Sequence, residues 1–349
     1  MVIDANIYWF DEKIFHDDAY AEQFLAEVPR LYQTEGKMEI LPNGRKQVVI
    51  EKTFGYANVN YVEGDYILEN ILADMDQADM DQAGIDVGIL KLPCYHEWLS
   101  LELCKKFNDG MADFAKRSGG RLRGLGVVPP RASQAVKDEI DRCLNTLGFT
   151  GLQMVAHYGD HYLDDEQFAE FFEYINELGL TVYIHHNPVP VEFNQLYEYN
   201  NVRRSYGRNV DQGTAIMREL FSGFFDKFPN IKFVHSMLGG GFFAFKNLIL
   251  PKKATKAEDV QRFQTDNGDI ARHLEKNLFF EMSHAQPWGK DQLEVAVKIL
   301  GADHIIYGSS YPVRKEWLTA GPDFVRALDI SDSDKDMILT ENAKRLYRL

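Results

Sequence analysis

The sequence predicts an α/β fold in which eight parallel strands, each followed by a helix, close into a (β/α)8 TIM barrel. The first observation is the length: 349 residues suit a barrel of about 250 residues with insertions. The second is an alternation of short apolar runs with segments whose apolar residues recur at helical spacing, which indicates repeated βα units and a parallel sheet. We therefore expect one barrel domain over residues 1–349.

The apolar runs number eight, as a closed barrel of this kind requires. In chain order they are Ile3 to Tyr8, Val87 to Leu92, Leu122 to Val128, Gly151 to Ala156, Thr181 to His185, Ile231 to His235, Leu278 to Met282 and His304 to Tyr307. The segments between them carry apolar residues three or four positions apart, for example Phe168, Phe171 and Ile175. This spacing predicts helices that cover the sheet.

Residues 10–65 depart from a minimal barrel, because they do not form one clean helical pattern. Two apolar-polar runs, Lys37 to Leu41 and Lys46 to Ile50, flank Pro42-Asn43-Gly44. An Asn-Gly pair between such runs predicts a β-hairpin. We expect this insertion to act as a lid or as a subunit contact, the latter in a homodimer.

A tandem repeat, Asp74 to Ala78 and Asp79 to Ala83, precedes the second strand run. It could be read as a calcium site, but it lacks the glycine-centred loop of an EF-hand. A solvated helix face with an inserted repeat is favoured.

Charge and composition limit the class of partner. The chain has 38 basic and 53 acidic residues and a net charge of −15, which disfavours nucleic acid and anionic membranes. The three cysteines, Cys94, Cys104 and Cys143, have no spacing typical of disulfide frameworks or zinc sites. No apolar stretch approaches about 18 residues and the N-terminus has no leader pattern, so a cytoplasmic protein is expected.

Several motifs resemble one family along nearly the whole chain. The blocks are Met80 to Asp86, Gly124 to Pro129, Leu147 to Gly151, Tyr162 to Glu166, Glu177 to Leu180 leading into Val182 to His185, Phe228 to Lys232 before His235 and Gly239 to Gly241, and Tyr307 to Pro312. In this order they resemble the amidohydrolase-related (amidohydrolase 2) family that includes aminocarboxymuconate-semialdehyde decarboxylase and γ-resorcylate decarboxylase. The resemblance implies a barrel that removes carboxylate groups with the help of a divalent metal.

The resemblance also shows where this chain departs from the family. The family has a His-x-His or Glu-x-His pair on strand one, a histidine at the ends of strands five and six, and an aspartate on strand eight. Here His185 and His235 match, whereas Asn6, Tyr8 and Ser310 occupy the other positions. A tight Zn²⁺ or Mn²⁺ site usually needs three or four His, Cys or carboxylate ligands. We therefore predict no metal ligands, and a zinc or manganese ion only through an atypical site.

The candidate catalytic residues are His235, Tyr8 and Glu281. His235 matches a family acid/base position, and an imidazole is suited to proton transfer because its ordinary pKa of about 6.5 lies near working pH. Tyr8 lies at the end of a predicted strand, and Glu281 is a carboxylate within a core-like strand run. A packed structural histidine, and an outward or paired glutamate, are the alternative interpretations.

The candidate substrate-binding residues lie at strand ends or in the loops that follow them. They are Asn6, His185, His186, His157, Ser310 and Arg204. Asn6 and Tyr8 have the i, i+2 spacing that sends both side chains to the same strand face. The triple glycine Gly239 to Gly241 is interpreted as close packing of strand and helix, because no Lys-Ser/Thr pair follows it as in a phosphate loop.

The predicted function is non-oxidative decarboxylation, a carbon–carbon lyase reaction, of a small cyclic or aromatic carboxylate at an altered or absent metal site. One alternative is a metal-independent hydrolase or lactonase, an isomerase or a cyclase. Another is a catalytically degenerate barrel that binds a ligand. The expected partner in each case is a small-molecule carboxylate.

Overall fold

The computed structural model describes residues 1–28, 34–52, 56–77, 84–93, 99–187, 191, 202–250 and 267–349, so Cys94 and the second half of the tandem repeat lie outside it. The strands are β1 (Ile3–Tyr8), β2 (Thr34–Ile40), β3 (Lys46–Lys52), β4 (Tyr56–Val62), β5 (Val87–Lys91), β6 (Leu122–Gly124), β7 (Gly126–Val127), β8 (Leu152–Val155), β9 (His157–Tyr158), β10 (His161–Tyr162), β11 (Thr181–His185), β12 (Lys232–His235), β13 (Leu278–Glu281) and β14 (Ile305–Ile306).

The helices follow the strands as the apolar spacing predicts. They are α1 (Asp18–Glu27), α2 (Leu68–Gln77), α3 (Leu101–Arg117), α4 (Gln134–Asn145), α5 (Ala169–Leu178), α6 (Arg208–Phe221), α7 (Phe224–Lys227), α8 (Phe243–Ile249), α9 (Asn267–Lys276), α10 (Gly289–Leu300), α11 (Lys315–Arg326), α12 (Asp332–Asp336) and α13 (Asn342–Tyr347). Serine caps begin α3 and α4, where Ser100 and Ser133 accept from the backbone N–H groups of Leu103 and Val136.

Nine of these strands form a closed parallel barrel with eight positions, because β6 and β7 are consecutive parts of one strand run. One run of parallel pairs joins β1, β5 and β6, and another joins β7, β8, β11, β12, β13 and β14. The Leu125 N–H donates to the Leu90 carbonyl at 3.0 Å, which continues the first run into the second. The N–H groups of Ala5 and Tyr8 donate to the carbonyls of Tyr307 and Tyr311 at 3.0 and 2.8 Å and close the ring. The prediction of a TIM barrel is confirmed.

Inside the barrel, apolar side chains fill the end at which the strands begin. They are Ile3, Ala5, Ile89, Leu125, Tyr183, Val234, Phe279, Ile306, Ala343, Leu346 and Tyr347. The last three belong to the C-terminal helix α13, which plugs this end. Because side chains alternate along a strand, His185 and Glu281, two positions beyond Tyr183 and Phe279, also face inward.

The predicted hairpin is present and belongs to a three-stranded antiparallel sheet of β2, β3 and β4. Ile40 pairs with Lys46 around the Asn43-Gly44 turn, and Gly44 has a φ of +84° that favours glycine. Phe10, just after β1, stacks on Tyr61 of β4 with ring centroids 4.2 Å apart. The roles of this sheet as a lid or dimer contact stay predictions, as does the single-domain organisation.

The first half of the tandem repeat differs in part from the expected solvated face. Asp76 is largely exposed and pairs with Arg121. Asp74 is buried: it accepts from the Tyr311 hydroxyl at 2.7 Å and lies 2.7 Å from Lys315 Nζ. For Asp74 the prediction was wrong, because α2 packs against the segment that follows β14.

Cys104 and Cys143 are free, buried thiols, as expected of packed cysteines. Across the part of the chain that the structure describes, none of the helices is both long enough and apolar enough to span a bilayer.

Candidate active site

A cluster of buried polar side chains occupies the C-terminal end of the barrel, where TIM-barrel enzymes carry their active sites. Its members are Asn6 and Tyr8 from β1, Lys91 from β5, Tyr183 and His185 from β11, Glu281 from β13, and Ser310, which follows β14; each is 4% exposed or less. The structure thus brings together five of the predicted residues, namely Asn6, Tyr8, His185, Glu281 and Ser310.

Glu281 is the centre of the hydrogen bonds in this cluster. It accepts from the hydroxyls of Tyr183 and Ser283, each at 2.7 Å, and from Asn6 Nδ2 at 3.0 Å. Burial raises the pKa of this carboxyl, and the positive charge of Lys91 opposes that rise. Gly308 leaves the space for the carboxylate, because a Cβ there would overlap Glu281 Oε1.

Tyr8 and His185 form a hydrogen-bonded pair, with the phenol oxygen 2.9 Å from His185 Nε2. His185 Nδ1 lies 2.7 Å from the backbone carbonyl of His186. A carbonyl can only accept, so Nδ1 carries a proton and Nε2 of the neutral ring accepts from the Tyr8 hydroxyl. The His186 ring stacks on that of His185, with centroids 4.1 Å apart. The predicted residue His186 therefore also borders the cluster.

Lys91 is one of the two members of the cluster that were not predicted from the sequence. Its side chain is fully buried, and Nζ lies 3.5 Å from the ring centroid of Tyr183 and 4.9 Å from that of Tyr8. The signal was present, because a lysine within the apolar run from Val87 to Leu92 is unusual for a buried strand. Tyr183, in the run Thr181 to His185, was overlooked in the same way.

Asp4 holds the segment after β14 against β1. Its Oδ1 accepts from the backbone N–H groups of Asn6 and Ser309, each at 2.9 Å. Ser310, next in the chain, has a φ of +63°, a left-handed conformation that a serine adopts only when its surroundings enforce it. Burial raises the pKa of Asp4 to about 6.

The raised pKa of Asp4 predicts a pH-dependent stability. The folded protein holds this proton more tightly than the unfolded chain, whose carboxyl has a pKa of 3.8, so stability is lost as pH rises through about 6. Between pH 5 and 7.5, ionisation of Asp4 is expected to lower the free energy of unfolding by about 1–2 kcal/mol. The Asp4→Asn variant is expected not to show this loss. Urea unfolding at the two pH values measures this, with the exposed Asp160→Asn as control. An unaltered pH dependence in Asp4→Asn would contradict the assignment.

His235 does not join the cluster. Val234 faces the barrel interior, so His235, one residue later, points outward into the helical layer. There Nδ1 lies 2.9 Å from Gln212 Oε1 and Nε2 lies 2.9 Å from Glu219 Oε2, both on α6. His235, predicted as a catalytic residue, therefore does not face the barrel mouth with the other candidates. In this structure its imidazole joins β12 to α6.

The triple glycine after His235 packs as expected. Gly239, Gly240 and Gly241 all have positive φ, and a Cβ on Gly240 would overlap the backbone of Asn209 in α6. This contact agrees with the interpretation of close strand-to-helix packing.

His157 and Arg204 are the remaining predicted site residues. His157 Nε2 lies 3.3 Å from Asp211 Oδ2 on α6, and the Tyr162 hydroxyl donates to the same carboxylate at 2.7 Å. The His157 ring is thus engaged by the loop and helix beside the cluster. The side chain of Arg204 lies outside what the structure describes, so its substrate contact stays a prediction.

Comparison with known proteins identifies the family. The family model described as Amidohydrolase matches residues 72–349, and this chain belongs to that family. The sequence is 25% identical over 257 residues to γ-resorcylate decarboxylase of Polaromonas sp. strain JS666, covering 71% of this chain and 77% of the relative. It is also 25% identical over 248 residues to 2-amino-3-carboxymuconate-6-semialdehyde decarboxylase of Dictyostelium discoideum, covering 70% and 66%. The predicted resemblance is confirmed, and the chain is an enzyme of this superfamily.

Solved structures share the fold. The crystal structure of 5-carboxyvanillate decarboxylase LigW from Sphingomonas paucimobilis has a TM-score of 0.74 at 20% identity and covers 100% of this chain and 99% of its own. A dihydroxybenzoic acid decarboxylase from Polaromonas sp. JS666, with bound manganese and the inhibitor 2-nitroresorcinol, has a TM-score of 0.70 at 18% identity and covers 100% and 97%. Within the residues described for this chain, no group of three or more His, Cys, Asp or Glu side chains is arranged to hold a metal.

Proposed function

We propose that this protein is a non-oxidative decarboxylase of small aromatic carboxylates that works at an altered, metal-independent site. The single observation that carries the proposal is the buried hydrogen bond between Tyr8 and His185, in the same polar cluster as Glu281 at the C-terminal end of an amidohydrolase barrel. The names of the relatives, decarboxylases of γ-resorcylate and of an aminocarboxymuconate semialdehyde, support the reaction and the substrate class.

The side chains at the barrel mouth do not fit the divalent metal of the family. His185 Nε2, a nitrogen that a metal could use, is engaged by Tyr8. Asn6 directs its amide nitrogen, not its oxygen, at Glu281 and Ser310. The proposed reaction therefore uses side chains of this protein and no metal ion.

The proton needed for decarboxylation comes from His185 in this proposal. In the imidazolium form, Nε2–H donates to the Tyr8 oxygen and leaves the Tyr8 hydroxyl proton free to point at the substrate. The proton passes through Tyr8 to the ring carbon that carries the carboxylate. The carbon–carbon bond then breaks, its electron pair restores the aromatic ring and CO₂ departs. Solvent returns the proton to His185.

A substrate panel tests the function. Purified protein is incubated with hydroxybenzoates including γ-resorcylate, with 5-carboxyvanillate, with muconate-type acids and with lactones, and the released CO₂ and the products are measured. Decarboxylation of a hydroxybenzoate is the expected result. Ring opening of a lactone without CO₂ would favour the hydrolase alternative. Tight binding without turnover would favour a degenerate, ligand-binding barrel.

Metal content is predicted to be well below one zinc or manganese ion per chain, because Asn6, Tyr8 and Ser310 replace usual ligands. Elemental analysis of the purified protein measures this. Dialysis against EDTA is expected to leave the turnover unchanged, and added Mn²⁺ is expected not to raise it. One tightly held metal ion per chain, bound through His185, would overturn the metal-independent site.

A further inference from the structure

We propose that Lys91 is a substrate-binding residue whose ammonium group anchors the carboxylate of an anionic aromatic ligand. The inference rests on the proposed function for the class of substrate, and it adds the residue that recognises the negative charge. Lys91 ends β5 and pairs in register with Tyr8 of β1, so the cation stands beside the Tyr8–His185 pair.

The cost of burying an ammonium group is the first argument. Lys91 is 0% exposed inside the barrel, and moving such an ion out of water costs several kcal/mol unless its charge is compensated. An apolar side chain of similar length would fill the same space without that cost. A lysine at the end of the barrel that carries active sites therefore indicates a function for the charge.

Two aromatic rings restrict the position of the Lys91 ammonium group beside the Tyr8–His185 pair. Its Nζ lies over the faces of Tyr183 and Tyr8, a cation–π arrangement that restricts the long side chain. Among the described residues, Glu281 is a carboxylate that interacts electrostatically with Lys91, and it accepts hydrogen bonds from Tyr183, Ser283 and Asn6.

A second, independent observation points to a ligand at the same place. Asn6 Oδ1 is fully buried and, among the residues that the structure describes, has no hydrogen-bond donor, while Nδ2 of the same amide donates to Glu281 and Ser310. A buried acceptor without a donor is costly, and a bound hydroxyl group would satisfy it. A hydroxybenzoate offers both groups: a carboxylate for Lys91 and a hydroxyl for Asn6.

Binding of a matched pair of probes tests the role of Lys91. The probes are γ-resorcylate and its primary amide, which differ in charge but hardly in shape, and their dissociation constants are measured by calorimetry. The unmodified protein is expected to prefer the carboxylate. In Lys91→Met this preference is expected to fall by about 10-fold or more, the scale of one charge-assisted hydrogen bond, while Lys91→Arg keeps part of it. The exposed Lys298→Met is the matched control.

The outcomes separate this inference from the proposed function. If Lys91→Met is folded, as judged by circular dichroism and its unfolding midpoint, and keeps the full preference for the carboxylate, the anchor is wrong even when the enzyme decarboxylates hydroxybenzoates. If the preference depends on Lys91 but no aromatic acid loses CO₂, the anchor stands and the decarboxylase function fails.

A crystal structure of the unmodified protein with γ-resorcylate decides the matter independently of how the variants fold. A carboxylate oxygen about 3 Å from Lys91 Nζ is expected. A carboxylate bound elsewhere in the barrel would refute the assignment.

Discussion

Replacing Tyr8 by phenylalanine is expected to lower kcat for decarboxylation by about 10²-fold or more, the scale on which a positioned general acid contributes. The phenol oxygen is the group through which the His185 proton reaches the substrate, and Phe keeps the ring but removes that oxygen. Since Tyr8 is buried against neighbours that remain, KM is expected to change much less than kcat. Steady-state kinetics on the best substrate of the panel measures both constants.

The hydrogen bond between Tyr8 and His185 leads to a second expectation, for the His185 variant and the double variant. His185→Asn is expected to reduce kcat on a similar scale, and the double variant is expected to be little worse than either single variant, because the two residues act as one unit. Tyr174→Phe is the matched control, since it removes a hydroxyl that donates to Asp141 in the helical layer. Near-normal kcat in a folded Tyr8→Phe protein would exclude the relay and leave Glu281 as the candidate proton carrier.

Replacing Glu281 by alanine is expected to lower the free energy of unfolding by about 3–5 kcal/mol, the cost of breaking a buried charged network by removing one partner. The hydroxyls of Tyr183 and Ser283 would lose their acceptor. The nearby charge of Lys91 would lose the carboxylate that interacts with it.

Urea unfolding followed by circular dichroism measures the effect of Glu281→Ala. Glu281→Gln keeps an oxygen acceptor and is expected to cost less, and Glu275→Ala, on the exposed face of α9, is expected to change stability by less than about 0.5 kcal/mol. A loss in Glu281→Ala no larger than that of the Glu275 control would show that the network contributes little to stability. In that case the space that Gly308 leaves for the Glu281 carboxylate would need another explanation.

The order and number of the barrel strands could be predicted from the sequence alone. Apolar runs that alternate with helical segments admit few arrangements other than a parallel sheet, and eight runs suffice to close one. The same local pattern placed Asn6 and Tyr8 on one face of β1, because a spacing of two residues returns to the same side of a strand. His185 and Ser310 were located by the family resemblance, and Glu281 was located as a carboxylate within an apolar strand run.

The direction in which each strand-end side chain points was decided by the tertiary structure. Period-two alternation says that neighbours face opposite sides, but not which side is the interior. On β12 the inward position belongs to Val234, so His235, which was predicted as a catalytic residue, faces the helical layer. On β1 the register shifts between Asp4 and Ile7. The side chains of Ala5 and Asn6 therefore both contact the barrel interior, although the two residues are adjacent.

Contacts between residues that are far apart in the chain likewise could not be predicted from the sequence. Lys91 precedes Tyr183 by 92 positions and Glu281 by 190. Its local sequence does not show that its ammonium group lies over the ring of Tyr183 and near the carboxylate of Glu281 once the barrel is closed. The sequence by itself determined the barrel, its family and the list of polar strand ends. Only the packing of eight strands around one axis decided which of those side chains meet, because contacts across a barrel depend on register and not on local pattern.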